Sequence, residues 1–446
     1  MNQLNIPESN LKRIVVIGCG FAGLNLVKNL KNAPYQIVMI DKHNYHTFQP
    51  LLYQVATAGI EPDSIAQPIR NLYTGQKEFY YRMAIAEHID SSNNILKTNI
   101  GDLPYDYLVI ATGSKTNYFG NKAIEDASIP MKSIPEALNL RSIILQSFEA
   151  ATLTDDIEER KRLMNFVIVG AGPTGVELSG AIAELKNNVL PKDYPELNFK
   201  RMSIYLLEGM DKVLPPMSDK ASAKAQKYLE GMGVEVMLNT MVKDYDGVTV
   251  KTNKNELPAS NLIWAAGVMG TIIDGLKEGE DHYKSRYLVD KHNRVGNHNN
   301  IFAIGDVASM VSEENPKGHP MLAQVAIQQG TLLAKNLKSL HQNTALKAFS
   351  YNDKGSMATI GRNKAVADLN FGTIGGFFGW VLWMAVHLFS LVGFRNKTVV
   401  FLNWVMNYFS YGSKIRLIVR PVDREKKETE ILGVEDSPEH VDEIRD

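Results

Sequence analysis

A chain of 446 residues with 44% apolar content can bury two or three ordinary domain cores. Its 48 basic and 49 acidic residues leave a net charge of −1, so no global basic field points to nucleic acid. The single cysteine, Cys19, excludes intrachain disulfides, multi-cysteine zinc sites and a C-x-x-C redox pair, and any redox chemistry has to come from a bound cofactor. The first residues, MNQLNIPESNLKR, contain no apolar run and read neither as a secretory signal nor as an Arg-rich transit peptide.

The first informative stretch is Ile14–Gly23, IVVIGCGFAG. Ile14, Val15, Val16 and Ile17 read as a buried parallel strand, Gly18, Gly20 and Gly23 have G-x-G-x-x-G spacing, and Leu24–Leu30 has helical periodicity. In such a unit the first glycine permits the tight turn, the second lets backbone amides approach a pyrophosphate, and the third lets helix pack on strand. The helix N-terminus contributes free N–H groups and the positive end of its dipole. A second predicted strand, Gln36–Ile40, ends in Asp41, where an acid accepts hydrogen bonds from a ribose hydroxyl. From Asp41 to Tyr73 the chain is apolar and turn-rich, with Pro50, Pro62 and Pro68 interrupting any long helix. Short strands follow at Ala84–Ile89, Ile95–Thr98 and Tyr107–Ile110, the last running into Ala111-Thr112-Gly113. Ser133–Arg162 reads as one or two helices ending in a charged patch that suits a solvated helix end.

The opening unit then repeats. Phe166–Val169 is a predicted strand, Gly170-Ala171-Gly172-Pro173-Thr174-Gly175 is a second G-x-G-x-x-G, and Val176–Leu185 is the helix. Strand Ser203–Leu207 ends in Glu208, farther along than the usual spacing of about 20 residues, and Asn187–Lys200 reads as an inserted loop that accounts for the excess. Two such units predict an α/β protein with two dinucleotide sites. Glu208 disfavours a 2′-phosphate by charge repulsion, so NADH is expected over NADPH, with Arg201 and Lys212 able to soften the preference. Helix Lys220–Gly231 and strands Val234–Leu238, Gly247–Lys251, Asn261–Ala265 and Ile301–Ile304 follow. The last two strands lead into Ala266-Gly267 and Gly305-Asp306, ahead of helix Met321–Leu340.

Several features carry two readings. Gly305-Asp306 suits an ordinary strand-to-helix turn and equally an Asp that bonds the ribityl or pyrophosphate end of FAD. Gln324 and Gln328, at i and i+4 in MLAQVAIQQG, suit a helix surface and also donors to a flavin or quinone carbonyl. His43 and His46 resemble a metal pair but have no third ligand at suitable spacing, so no metal is expected.

Beyond Phe371 the composition changes. Phe371–Phe394 and Thr398–Tyr411 contain no Asp, Glu, Lys or Arg, and the neighbouring charges up to Arg420 are all basic: Arg395, Lys397, Lys414, Arg416 and Arg420. The first run is long enough for a bilayer core, which takes about 20 residues, but Gly372, Gly375, Gly376 and Gly379 weaken its start. In the second, Val399, Leu402, Met406 and Phe409 share one face, beside a polar stripe of Asn403, Asn407 and Ser410. Trp380, Trp383, Trp404, Tyr408 and Tyr411 suit a headgroup interface. In-plane membrane helices are favoured over a span or a buried helical pair. A charged, mobile tail is expected from Asp423.

Together these segments resemble the type II NADH:quinone oxidoreductases, single-subunit, non-pumping respiratory dehydrogenases of the two-dinucleotide-binding-domain flavoproteins. The resemblance runs from Lys12 to Arg420 and is most specific at Phe48–Ile60, Tyr105–Ser114, Gly170–Glu184, Ile301–Ala308, Ala323–Gly330 and Gly379–Asn396. It implies two glutathione-reductase-like Rossmann domains and a membrane-associating C-terminal helical region. The implied segments are 1–115 and 298–345 for FAD, 116–297 for NADH and 346–446 for membrane anchoring and quinone access. Gly18, Gly20, Phe21, Ala22, Gly23, Asp41 and Lys42 would hold the ADP part of FAD, and Thr112, Gly113, Gly305, Asp306 and Ala323 would complete the flavin site. Gly170, Gly172, Thr174, Gly175, Glu208 and Gly267 would hold NADH. Glu177 would lie near the nicotinamide–flavin junction, and Gln324 and Gln328 would match the A-Q-x-x-x-Q quinone motif. A lipid-soluble quinone as partner, attachment to the cytoplasmic face of the cell membrane and a homodimer belong to the same expectation. His387, in a W-x-x-W-x-x-x-H pattern, either serves the quinone or sits at the interface, and the interface is favoured. The close competitor, sulfide:quinone oxidoreductase, requires a cysteine pair that this chain lacks, and a flavin- and NADH-binding scaffold with little turnover is the alternative from another class.

Overall fold

A computed structural model describes residues 4–313, 315–410 and 416–418. Tyr411, Lys414, Arg420 and the tail from Asp423 lie outside the described residues. The chain forms two compact units: Met1–Thr47, Ala66–Asn117 and Val268–Lys354 in the first, and Phe48–Ile65, Tyr118–Gly267 and Gly355–Asp446 in the second. The return to the first unit thus comes at Val268, earlier than the boundary at 298 read from the sequence, and a short segment of the first half, Phe48–Ile65, joins the second unit.

Strand β1 (Lys12–Ile17), helix α1 (Phe21–Asn29) and strand β2 (Tyr35–Asp41) form as their patterns require, with the β-branched run of β1 buried. The proline-rich segment folds into short pieces, of which α2 (Leu52–Ala56) belongs to the second unit. Strands β3 (Phe79–Met83) and β4 (Tyr107–Ile110) complete the first pass through the first unit.

In the second unit come edge strand β5 (Ile129–Pro130) and helices α3 (Ile134–Leu153) and α4 (Ile157–Met164). A reciprocal capping box of Ser133 and Glu136 starts α3, and Asp156 caps α4. Strand β6 (Phe166–Val169), helix α5 (Pro173–Asn188), strand β7 (Ile204–Leu207), helix α6 (Asp219–Glu230) and strands β8 (Val234–Met237) and β9 (Asn261–Trp264) follow. The expected inserted loop is largely helical: α5 extends to Asn188 and a further turn covers Leu190–Asp193, because Val189 and Leu190 are buried against the unit.

The chain re-enters the first unit for β10 (Ile301–Ala303) and helix α7 (Ala323–His341). It ends in the second with hairpin strands β11 (Ser356–Gly361), β12 (Lys364–Leu369) and β13 (Gly372–Gly375) and helices α8 (Gly376–Ser390) and α9 (Phe394–Ser410). This three-stranded antiparallel sheet had no counterpart in the sequence reading.

The first unit's sheet is parallel, in the order β10-β4-β1-β2-β3. The second unit's sheet is parallel as well, ordered β5-β9-β6-β7-β8. In each, the strand before the glycine turn lies between its successor and a later strand, which opens a crevice at the carboxyl ends of the strands, where nucleotides bind in such sheets.

Packing of α5 on β11 places the C-terminal module within the second unit. A Cβ on Gly180 would come 1.7 Å from the Ile360 carbonyl oxygen, so only a residue without a side chain allows this approach. Gly180→Ala is therefore expected to destabilise the protein by about 1–3 kcal/mol through overpacking, read as a lower denaturation midpoint with an unchanged slope.

Candidate functional site

In the first unit the turn after β1 has the geometry its glycines demand. Gly18 has φ +100°, with Ala111 O only 2.4 Å from where a Cβ would stand, and a Cβ on Gly23 would come 1.9 Å from Gly18 O. At Gly20 a Cβ would meet nothing within 4 Å, and no side chain caps α1 there. The cradle is open above amides that α1 leaves without intrahelical partners, as a pyrophosphate requires. Asp41 closes the turn: Cys19 N–H donates to Oδ2 at 2.6 Å and His43 N–H to Oδ1 at 2.8 Å. Burial raises the Asp41 carboxyl above its usual range, and these two bonds oppose the shift. His46 donates from Nδ1 to Cys19 O at 2.7 Å, and its ring meets Phe21 edge-on at 5.4 Å. Ala22 is buried and Lys42 is exposed.

The second unit repeats this arrangement. Gly170 has φ +98°, a Cβ on Gly175 would come 1.9 Å from Gly170 O, and Gly172 again has open space. Ala171 N–H donates to Glu208 Oε2 at 2.7 Å and Met210 N–H to Oε1 at 3.0 Å, the same two bonds as at Asp41. Thr174 is exposed near the start of α5, and Gly267 takes φ +83° beside the Phe119 ring. Lys212 pairs with Asp219 at 2.8 Å, so its charge is partnered there.

Back in the first unit, Thr112 donates to Thr271 O at 2.7 Å, Gly113 has φ +69°, and Ser114 donates to Asp306 Oδ2 at 2.5 Å. Gln324 and Gln328 share a face of α7 as their spacing predicts. Their amides engage the chain that follows α7. Gln328 donates to Asn352 O at 2.9 Å and accepts from Asn352 N–H at 3.0 Å, while Gln324 Oε1 accepts from Lys354 N–H at 3.2 Å. Ala323 is the first residue of α7.

Glu177 is buried in the second unit, beside a cavity of about 180 Å³ between α2, α5, β11, α8 and α9. Tyr53, Trp380, Trp383, Trp404 and Tyr408 line its aromatic side. Burial pushes the Glu177 carboxyl up to about 8, although Thr359 N–H at 3.4 Å favours its ionised form. Two anchors hold α9: Trp404 Nε1–H donates to Gln54 Oε1 at 2.8 Å and Asn407 Nδ2–H to Gly59 O at 2.9 Å. Tyr53, Thr359 and Gln54 were missed as neighbours of Glu177, since nothing in the sequence links segments so far apart.

The C-terminal helices turn much of their aromatic and polar surface toward the cavity. Trp380, Trp383, Trp404 and Tyr408, expected at a headgroup interface, line the cavity; Trp383 is 1% exposed and the other three are half-buried. Asn407 of the polar stripe points inward, because its amide has a carbonyl partner there. His387 is half-buried: it donates from Nδ1 to Trp383 O at 2.8 Å, stacks on the Trp383 ring at 4.1 Å, and burial lowers its pKa to about 4, leaving it neutral. The outer surface instead carries phenylalanines, with Phe378 75%, Phe389 77%, Phe394 86% and Phe409 80% exposed. Of the flanking bases, Arg395 pairs with Asp63 and Arg416 with Asp193. Among the described residues no helix is long and apolar enough to cross a membrane.

Residues 12–330 match the pyridine nucleotide-disulphide oxidoreductase family and 354–411 match the NDH2 C-terminal domain. The type II NADH:quinone oxidoreductase NdhA of Mycobacterium tuberculosis is 37% identical over 414 residues, covering 89% of this chain and 87% of that protein. A probable NADH dehydrogenase of Dictyostelium discoideum is 32% identical over 88% of this chain and 89% of its own length. Among solved structures, NDH2 from Plasmodium falciparum in complex with NADH shares the fold with a TM-score of 0.85 at 23% identity, over 92% of this chain and 100% of that one. The sulfide:quinone oxidoreductase of Aquifex aeolicus shares it at a TM-score of 0.69 and 19% identity, over 90% and 96% of the two chains.

The carboxyl of Glu177 has a measurable consequence. In an unfolded chain it ionises near its ordinary 4.5, whereas the folded chain holds the proton to about 8. The native state therefore binds the extra proton, and stability falls as pH rises between those values. Infrared difference titration should show a protonated carboxyl band at pH 7 that disappears through about pH 8 and is missing in Glu177→Gln.

Proposed function

This chain belongs to the type II NADH:quinone oxidoreductase family, and from that premise we propose which residues carry its reaction and where it works. The activity is oxidation of NADH and reduction of a quinone, with FAD and NADH as cofactors. Bound FAD supplies a two-electron acceptor for hydride and a donor to quinone, chemistry that no side chain here provides. The chain binds, orients and shields. In this reading the first glycine turn with Asp41 seats the ADP part of FAD, Thr112, Gly113, Gly305 and Asp306 hold the flavin end, and the second turn with Glu208 seats NADH. The open cradles at Gly20 and Gly172 and the uncapped helix starts behind them fit a pyrophosphate at each turn.

The observation that carries the quinone assignment is the aromatic cavity under α8 and α9, with the buried, proton-bearing Glu177 on its wall. An apolar acceptor fits such walls, and quinone reduction consumes two protons, so Glu177 is read as holding one of them. The exposed phenylalanine face of α8 and α9 is read as the surface that lies in the bilayer plane, on the cytoplasmic side of the cell membrane. Burying each phenylalanine is worth about 1.5–3 kcal/mol, enough for several together to hold a protein at an interface. A homodimer completes the reading and is checked by light scattering of the detergent-solubilised enzyme.

The decisive experiment is an absorbance spectrum of the purified protein, followed by anaerobic NADH and then quinone. Bleaching by NADH and recovery with quinone are the expected outcome; no recovery would leave a nucleotide-binding scaffold. Gln324→Ala should slow quinone reduction while anaerobic bleaching by NADH stays near the parent rate, and loss of both together would refute its quinone role. Replacing Phe378, Phe389 and Phe409 with serine should release the protein from lipid vesicles with soluble NADH-dependent bleaching retained. With Glu177 as a proton source, quinone reduction should decline as pH passes about 8, and Glu177→Gln should flatten that limb.

A further inference from the structure

Helix α7 carries a third glutamine, Gln329, that faces away from Gln324 and Gln328. It is 1% exposed, and its Oε1 accepts from Gly305 N–H at 2.7 Å. Gly305 is buried with φ +77° and opens a single 3₁₀ turn, Gly305–Val307. A Cβ on Gly305 would come 3.2 Å from Ala22 Cβ and 3.4 Å from Ala326 Cβ, so the turn lies between α1 and α7. On the next residue of α7, a Cβ at Gly330 would come 2.3 Å from Ala22 O. That close contact of α7 with α1 brings the Gln329 amide within reach of the turn. Without the amide oxygen, Gly305 N–H would be a buried donor with no partner, which costs far more than an ordinary hydrogen bond contributes.

The following residue, Asp306, has one carboxylate oxygen held by Ser114 at 2.5 Å. It is held from both sides, by Ser114 on the side chain and by Gln329 through the N–H of the preceding residue, Gly305. We propose that Gln329 is a positioning residue for flavin binding, locking the Ile304–Gly305 peptide so that Asp306 is held in place for the cofactor. The inference rests on reading Gly305–Asp306 as part of the flavin site. A neutral amide suits the position, because an ionised acid there would add negative charge beside Asp306 in a buried setting.

The test measures FAD release from the full-length holoenzyme on dilution, read by recovery of flavin fluorescence, for Gln329→Met, Gln329→Glu and Asp306→Asn. Gln329→Met keeps the volume and removes the acceptor, and it should weaken FAD retention about tenfold. Gln329→Glu should retain FAD within about twofold of the parent at pH 6, where a buried carboxyl is protonated, and lose it progressively by pH 8.5 relative to the parent at the same pH. A residue that only fills space would show neither the loss in Met nor the pH dependence in Glu. The proposal is overturned if Gln329→Met retains FAD like the parent while Asp306→Asn releases it. If Asp306→Asn also retains FAD, the flavin-site reading itself is refuted and the role of Gln329 falls with it. Should the Met variant not fold, the Glu variant decides: equal retention at both pH values overturns the proposal.

Discussion

A hydrogen bond from the middle of a glycine turn to a carboxylate on the neighbouring strand tip holds each nucleotide-binding unit in shape. Cys19 N–H donates to Asp41, and Ala171 N–H donates to Glu208. In a parallel sheet the two strands end side by side, and the turn leaving the first has an amide that no ladder can satisfy. The acid takes that amide and a second one two residues beyond itself, so the turn and the following loop are fixed together. With those donors satisfied, the amides at the helix start are left without a side-chain cap. Two units of different sequence reach the same geometry because the demands are those of the backbone.

The C-terminal module applies a different constraint. Its helices α8 and α9 have apolar residues on the outside and hydrogen-bonding groups inside, the reverse of an ordinary surface helix. Trp404 and Asn407 turn inward because amide and carbonyl partners wait there, whereas the phenylalanines lie on the exposed face. Arg362, from the hairpin between β11 and β12, reinforces the attachment: it donates to the Asn407 carbonyl and lies over the Tyr408 ring at 5.2 Å. The same inward packing that anchors α9 removes Glu177 from water and keeps its carboxyl protonated. One packing arrangement thus gives both results, anchorage through hydrogen bonds and a raised proton affinity through desolvation.

Helix α7 distributes three side-chain amides over two tasks. Gln324 and Gln328 hold the segment that carries the chain toward its C-terminal module, and Gln329 holds the turn before Asp306. A glutamine can do both because its amide donates and accepts without adding charge to a buried site.

Much of this was legible in the sequence, where a local rule applied. Glycine spacing, a β-branched run and a terminal acid are read along the chain, and they determined both glycine turns and the order of strand and helix around them, while a single cysteine excluded any cysteine pair. Composition also marked the C-terminal helices as a distinct region with an apolar face. Which way those helices turned was decided only in three dimensions. A tryptophan is equally at home in a headgroup layer and against a buried wall, and the choice at Trp383 and Trp404 depended on the Tyr53 ring and the Gln54 amide, far away in sequence. The hairpin sheet β11–β13, the helical fold of Asn187–Asp193, the raised proton affinity of Glu177 and the bond from Gln329 to Gly305 belong to the same class. Each depends on what packs beside it, and desolvation and hydrogen-bond partnership are properties of neighbours in space, which no periodicity along the chain encodes.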